Sequence, residues 1–325
     1  MLTYVAKKCL HFCYIKYFCI LNSEKTYAKI YVKGGDILNN HDEILHDVLA
    51  GLDESFEGGK RYFHERTFCV PSRKETIRII KLIQSLMFPE YFVLEENRQR
   101  KREEILNLIF LLLKRQIGAA FCFLDDNTAV DTESLAYAII KRIPYIKASL
   151  VKDVGAIYEG DPAAKNPEEI ILCYPGFYAI SIYRIAHEFY RLKIPYISRI
   201  MTEFAHEKTG IDIHAGATIG ESFFIDHGTG IVIGETTTIG DRVKIYQGVT
   251  LGAKSFELGE DGNPIKGVKR HPDIGNNCVI YAGATILGGN TKIGDNCTIG
   301  GNVWLTHSVE AGSTVYYDKK PNNKD

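Results

Sequence analysis

Asp212, His214, Asp226 and His227 gather proton-handling side chains into one short stretch of the chain. An imidazole beside a carboxylate can serve as a general base: the carboxylate fixes one ring nitrogen while the other faces a reacting hydroxyl. Asp212 and His227 are 15 residues apart. The same pairing also occurs as a plain structural hydrogen bond, so the role depends on what positions the two side chains. His214 faces the same stretch or braces a turn and is left out of the catalytic set.

The element that must position them is periodic. Aliphatic residues fall at Ile213, Ile219 and Ile225, then at Ile233, Ile239, Ile245 and Leu251. They return at Ile274, Ile280, Ile286, Ile293, Ile299 and Leu305. Gly follows the aliphatic residue at 219, 233, 239, 251, 274, 293 and 299. Small residues such as Ala217, Val249, Ala284 and Cys297 stand four places after it. A sustained six-residue beat is the signature of a parallel β-helix, three hexads to a triangular coil of about 18 residues. Coils stack at about the 4.8 Å strand spacing, so Asp212 and His227 should approach the same corner from adjacent coils. The beat gains two residues between Ile225 and Ile233 and one between Ile286 and Ile293. It stops altogether from about 254 to 273, a segment that must loop out of the wall.

Before residue 210 the pattern is helical. Ile44, Leu45, Val48, Leu49 and Leu52 recur at three- and four-residue steps, as do Ile77, Ile79, Ile80, Leu82, Ile83 and Leu86. Residues 97–113 and 134–145 read the same way, with Pro71, Pro89 and Pro144 expected at helix ends and two more helices around Pro195 within 167–208. His187 and His206 fall on these helices, as structural or interface residues. The fold class is α+β, an N-terminal all-α helical domain followed by the parallel β-helix. The expected division is an unplaced extension (1–40), a helical domain (41–208), the β-helix (209–318) with its inserted loop 254–273, and a polar tail (319–325).

The formal net charge of -1, from 39 Lys plus Arg and 40 Asp plus Glu, offers no basic field for nucleic acid or anionic lipid. Lys7, Lys8 and Lys16 interrupt the apolar N-terminus, and Lys114, Arg115 and Gln116 interrupt 108–124, so no membrane span is expected. The eight cysteines lack a CxxC pair and read as reduced thiols of a cytoplasmic protein. Cys9, His11, Cys13 and Cys19 lack the paired spacing of a zinc site, and no metal is expected. Cys278 and Cys297 occupy inward hexad positions, which argues against a cysteine nucleophile.

Several stretches resemble the serine O-acetyltransferases, a hexapeptide-repeat family. They are Asp161-Pro162-Ala163-Ala164, Thr209-Gly210-Ile211-Asp212-Ile213-His214, Ile225-Asp226-His227-Gly228-Thr229-Gly230, Val232-Ile233-Gly234-Glu235-Thr236, Gln247-Gly248-Val249-Thr250-Leu251-Gly252 and Arg270-His271-Pro272. The likeness runs in order from about 150 to 307, and the longer bacterial type fits best. It implies a left-handed coil and a direct acetyl transfer from acetyl-CoA, as co-substrate, to L-serine in a ternary complex. His227 would be the base and Asp212 its orienting carboxylate. Asp161 and Asp226 would receive the substrate ammonium, and Arg270 with His271 its carboxylate, a task suited to the guanidinium fork. Backbone N–H groups around Gly252 and Ala253 would face the oxyanion, and Ala282 and Gly283 would leave room for the pantetheine arm. Taken singly, Asp161 also suits a helix cap, Arg270 a solvated loop charge and His271 a surface histidine.

The resemblance further implies a homotrimer, or a dimer of trimers through the helical domain, with the acyl-CoA cleft between neighbours. The family's complex with O-acetylserine sulfhydrylase uses a terminal isoleucine, which the tail Lys319-Lys320-Pro321-Asn322-Asn323-Lys324-Asp325 lacks, so that complex is not expected. The alternatives are an O-acetyltransferase of this fold acting on a sugar or other hydroxyl, a zinc carbonic anhydrase built on the same repeat, and a scaffold without activity. The carboxylates and Arg270 suit an amino acid better than a sugar. The histidine spacings of 13 and 44 residues lack the close pair that a zinc site would use.

Overall fold

The computed structural model describes residues 16–18, 29–31, 44–52, 69–92, 99–124 and 129–317. The chain divides into two compact units, 1–66 and 67–325. In the first, β1 (Lys16–Phe18) pairs antiparallel with β2 (Lys29–Tyr31), and helix α1 spans 44–52 as its periodicity predicts. Cys9, His11, Cys13 and Cys19 lie outside the described residues, as does the tail 319–325.

The second unit opens with helices. Ser72, just after Pro71, caps α2 (Arg73–Met87) by accepting the Glu75 N–H at 3.2 Å. The alternating Ile79, Ile80, Leu82 and Ile83 are fully buried. Helix α3 (Arg102–Leu124) runs on past the interrupting Lys114-Arg115-Gln116 and is, contrary to expectation, long and apolar enough to cross a membrane by length and composition. It buries Ile105, Ile109, Leu112, Leu113, Ile117 and Ala120 in the core, as a core helix does. Helix α4 (Thr132–Gly160) corrects a second expectation, since Pro144 lies inside it and not at its end. The buried series Ile139, Ile143, Ile146, Leu150, Val154 and Ile157 carries the helix across the one missing N–H. Three helices, not two, fill the next stretch: α5 (Pro167–Cys173), α6 (Pro175–Arg191) and α7 (Ile197–Thr209). Pro167 and Pro175 each start a helix, where a missing N–H costs nothing. The expectation of thiols throughout also fails at one pair. Cys69 and Cys122 form a disulfide, brought together because the end of α3 returns to the start of α2.

After Gly210, which ends α7 in the left-handed conformation, the chain winds as a parallel β-solenoid with three walls. The first wall holds β3 (Asp212–Ile213), β6 (Val232–Ile233), β9 (Thr250–Gly252), β12 (Thr285–Leu287) and β15 (Trp304–Leu305). The second holds β4 (Thr218–Ile219), β7 (Thr238–Ile239), β10 (Asp273–Ile274) and β13 (Lys292–Ile293). The third holds β5 (Phe224–Asp226), β8 (Lys244–Tyr246), β11 (Val279–Ile280), β14 (Thr298–Ile299) and β16 (Thr314–Val315). Register follows the hexads, with Ile213 opposite Ile233, Ile233 opposite Leu251 and Leu251 opposite Ile286. All thirteen beat residues are buried. Cys278 and Cys297 are buried too, and burial pushes the Cys278 thiol up to about 11, far from a nucleophilic thiolate.

The segment between β9 and β10 loops out as a hairpin, with Leu258 bridging Pro264 and the Ile265 N–H donating to Glu257 O at 2.8 Å. A buried ion pair joins helices to solenoid. Arg184 on α6 holds Asp153 on α4 through two bonds of 2.6 and 2.8 Å, and Asp153 also accepts the Phe223 N–H. The same guanidinium donates to Gly220 O at 2.8 Å, so α4, α6 and the turn between β4 and β5 meet at one charge pair.

Candidate active site

The two residues inserted into the beat after Ile225 form the corner between the third and first walls. His227, Gly228 and Gly230 there all have positive φ, at 56°, 91° and 80°. Gly228 is obligatory, since a Cβ would come within 2.5 Å of the Ile211 side chain. This bulged corner turns His227 outward, with its side chain 71% exposed. The Gly230 N–H donates to Gly210 O at 2.9 Å, so the corner stacks on the one before it. His227 enters that stack from the third wall, and Asp212 leaves it on the first. Among the described residues no hydrogen bond joins their side chains. The carboxylate nearest the imidazole is Asp226, with Oδ1 3.7 Å from Nε2.

Asp161, at the end of α4, reaches the same corner. The Tyr174 hydroxyl donates to its Oδ2 at 2.6 Å and the Ala163 N–H to its Oδ1 at 2.8 Å. The tyrosine hydrogen bond holds the Asp161 carboxyl below its ordinary value, and the same bond pushes the Tyr174 phenol up to about 12. Asp161 is therefore an ionised carboxylate beside Asp226, with Lys244 close to both. The cap of the next helix, expected of Asp161, falls to Asn166, which accepts the Glu169 N–H at 2.8 Å, and Asp161 instead closes α4 with its N–H on Ile157 O.

Arg270 and His271 lie elsewhere, at the corner between the first and second walls. Arg270 donates to Glu235 Oε2 at 2.5 Å, and Tyr190 from α6 donates to the other carboxylate oxygen at 2.9 Å. Burial raises the Glu235 carboxyl, and the bonds from Arg270 and Tyr190 outweigh it, so the group is held ionised. His271 is buried, its Nδ1 3.1 Å from the Thr236 N–H and 2.9 Å from the Thr236 hydroxyl. Burial, then the Arg270 charge, lowers it to about 4, so the ring is neutral at physiological pH. It packs on Gly234, where any Cβ would sit 2.0 Å from the ring. The loop is pinned at the same corner by Lys269, which donates to Thr236 O at 2.6 Å. His214 braces its turn, Nδ1 accepting the Gly216 N–H at 3.0 Å, with Tyr190 edge-on to the ring.

The anticipated residues thus form two groups at opposite edges of the first wall. Asp161, Asp226 and His227 share one edge, with Asp212 beside it. Arg270 and His271 share the other. Gly252 and Ala253, ending β9, fall with Arg270. Ala282 and Gly283, following β11, fall with His227, and the Gly283 N–H donates to Gln247 O at 2.9 Å. Among the described residues no three His, Cys, Asp or Glu side chains gather closely enough to hold a metal ion. Sequence reasoning missed Tyr174, Lys244, Tyr190 and the role of Glu235. Only Glu235 carried a signal, as part of a motif.

No family model matches the chain. It is 46% identical over 265 residues to a plasmid-encoded serine acetyltransferase of Synechococcus elongatus, covering 77% of this chain and 83% of that protein. It is 48% identical over 163 residues to a serine acetyltransferase of Staphylococcus xylosus, covering 50% of this chain and 71% of that one. Among solved structures it resembles serine acetyltransferase 1 of Entamoeba histolytica in complex with L-cysteine, with a TM-score of 0.64 at 38% identity. That match covers 78% of this chain and 88% of the other.

Proposed function

The chain belongs to the serine acetyltransferase family, and on that premise we propose how its own residues carry out acetyl transfer to L-serine. The enzyme is an acyltransferase of the hexapeptide-repeat type. In the proposed reaction His227 takes the proton from the serine hydroxyl as the oxygen attacks the thioester carbonyl of acetyl-CoA. The carbon–sulfur bond then breaks, and the imidazolium returns the proton to the leaving CoA thiolate. O-acetyl-L-serine and CoA are released, with no acetyl-enzyme formed. Asp212, which leaves the same corner on the first wall, would orient the imidazole and stabilise its charged form once the exposed ring turns from Asp226 towards it.

Asp161 and Asp226 receive the substrate ammonium, and Arg270 with the neutral His271 binds its carboxylate. The observation that carries this reading is the separation of the two groups by the whole first wall. A serine molecule cannot bridge that wall within one chain, but it can sit where the His227 edge of one copy meets the Arg270 edge of the next. We therefore propose a cyclic trimer, or a pair of such trimers, with each site shared by two copies. Acetyl-CoA would lie along the same seam, Ala282 and Gly283 on one side and Gly252 and Ala253 on the other. We place the reaction in the cytoplasm, where acetyl-CoA is at hand. The Cys69–Cys122 bridge runs against that placement, and titration of free thiols directly after lysis tests it.

The deciding experiment measures CoA thiol release from acetyl-CoA with L-serine, other amino acids and sugars, in wild type and His227→Ala. Serine-dependent release that falls by about 100-fold or more in the variant, the scale of a lost general base, supports both acceptor and base. Release with a sugar alone moves the acceptor, and release unchanged in the variant removes His227 from its role.

A further inference from the structure

The His227 corner holds one more charge, Lys244, for which the sequence motifs give no role. Lys244 lies on β8 opposite Phe224, one residue before the inward Ile245. An outward lysine on a solenoid is ordinarily solvated, yet this side chain is only 19% exposed. Its Nζ donates to Gly160 O, the last residue of α4, at 2.8 Å. It lies 4.2 Å from the Phe224 ring centre and 4.8 Å from that of Tyr246, a cation held between two aromatic faces. Asp226 Oδ2 is 3.8 Å away, near enough for charge attraction and too far for a hydrogen bond. The oxygens of Asp226 therefore stay open to another donor. Lys244 also helps to lower the neighbouring Asp161 carboxyl.

A cation fixed 3.8 Å from Asp226 gives that carboxylate a constant electrostatic neighbour, and the lysine's bond to Gly160 O fixes the backbone one residue before Asp161. One side chain thus ties together the two aspartates that face the His227 corner.

We propose that Lys244 is a positioning residue for recognition of the substrate amino group: a fixed cation beside Asp226 that seats the end of α4, and with it Asp161, against the solenoid. This rests on the reading that the two aspartates receive the ammonium of serine. The lysine does not touch the substrate. It acts through the two aspartates and through the backbone that carries Asp161.

The test compares wild type, Lys244→Met and Lys244→Gln by steady-state kinetics in both substrates and by thermal unfolding. Methionine keeps the stem and loses both charge and donor, whereas glutamine keeps a donor for Gly160 O without the charge. Lys244→Met should raise the serine KM by about tenfold, the scale of one hydrogen bond to a charged group, with the acetyl-CoA KM within about twofold of wild type. Lys244→Gln should unfold close to the wild-type temperature and keep the raised serine KM. A serine KM within about twofold of wild type in Lys244→Met overturns the proposal. So does its full recovery in Lys244→Gln, which would leave only a structural tether. If Lys244→Met does not fold, the serine KM of Lys244→Gln decides by the same criterion. A wild type that releases no CoA with L-serine overturns the functional reading and this inference with it, whereas an active wild type with unaffected variants overturns this inference alone.

Discussion

A site shared between copies makes a quantitative prediction about mixed assemblies. His227→Ala disables one edge of the first wall and Arg270→Ala the other. Each alone should lose most activity: about 100-fold or more for the base, and about 10- to 100-fold in kcat/KM for serine when a charge-assisted pair to its carboxylate is removed. The two side chains stand at different corners, one exposed beside Asp226 and one bonded to Glu235. In a ring each interface joins the His227 edge of one copy to the Arg270 edge of the next. An intact site forms when an Arg270→Ala chain supplies His227 and a His227→Ala chain supplies Arg270. Random assembly from equal amounts gives each condition a probability of one half, so about a quarter of the sites should be whole. Co-expression with two affinity tags, tandem purification and CoA thiol release measure this, with native mass spectrometry to verify mixing. Tandem purification removes the unmixed trimers, and every mixed trimer has one whole site in three, so recovery towards about a third of wild-type activity is expected, or about a quarter for a pair of trimers. Mixed assemblies no more active than their parents would refute the shared site and place both halves within one chain.

Two further predictions concern stability. Asp153→Ala leaves the Arg184 guanidinium buried without its bidentate partner and should lower the urea unfolding free energy by about 3–5 kcal/mol; a loss below about 1 kcal/mol would show the pair to be dispensable. His271 is lowered to about 4 in the fold against an ordinary 6.5, so between those values the unfolded chain binds the extra proton. Stability should therefore rise with pH across that window, and acidification from about 6.5 to 4 should remove of order 2–3 kcal/mol that a His271→Gln variant does not lose. Parallel pH–stability curves for the two proteins would contradict the buried neutral ring.

The solenoid was legible because its interior leaves no choice. One residue in six must fill a triangular prism, and Ile213 through Leu305 keep that beat wherever the wall is regular. The irregularities were legible for the same reason. Two surplus residues after Ile225 can only bulge a corner, and the surplus between Leu251 and Ile274 can only leave the wall. What the period does not encode is partnership between elements distant in sequence. Pro144 looked like a helix end because the buried row from Ile139 to Ile157 that overrides it belongs to the bundle, not to the local pattern. Cys69 and Cys122 stand 53 residues apart, and only the packing of α2 against α3 brings them together.

The same limit explains what was missing from the site. The hexad pattern marks Lys244 as an outward residue, and whether an outward lysine is solvated or clamped depends on what lies over it. Here the end of α4 lies over it and takes its proton donor into the Gly160 carbonyl. Tyr174, 13 residues beyond Asp161 in sequence, reaches back to the same carboxylate from the start of α6. The solenoid supplies Asp226 and His227, whereas the helices supply Asp161 and Tyr174. The charge cluster therefore exists only where the two layers meet. A solenoid cut free of α4 and α6 would retain His227 on its bulged corner but lose Asp161, the acceptor for Lys244 and hence the ordered pair of carboxylates. The helical layer is thus part of the proposed amino-group site and not only a platform for assembly.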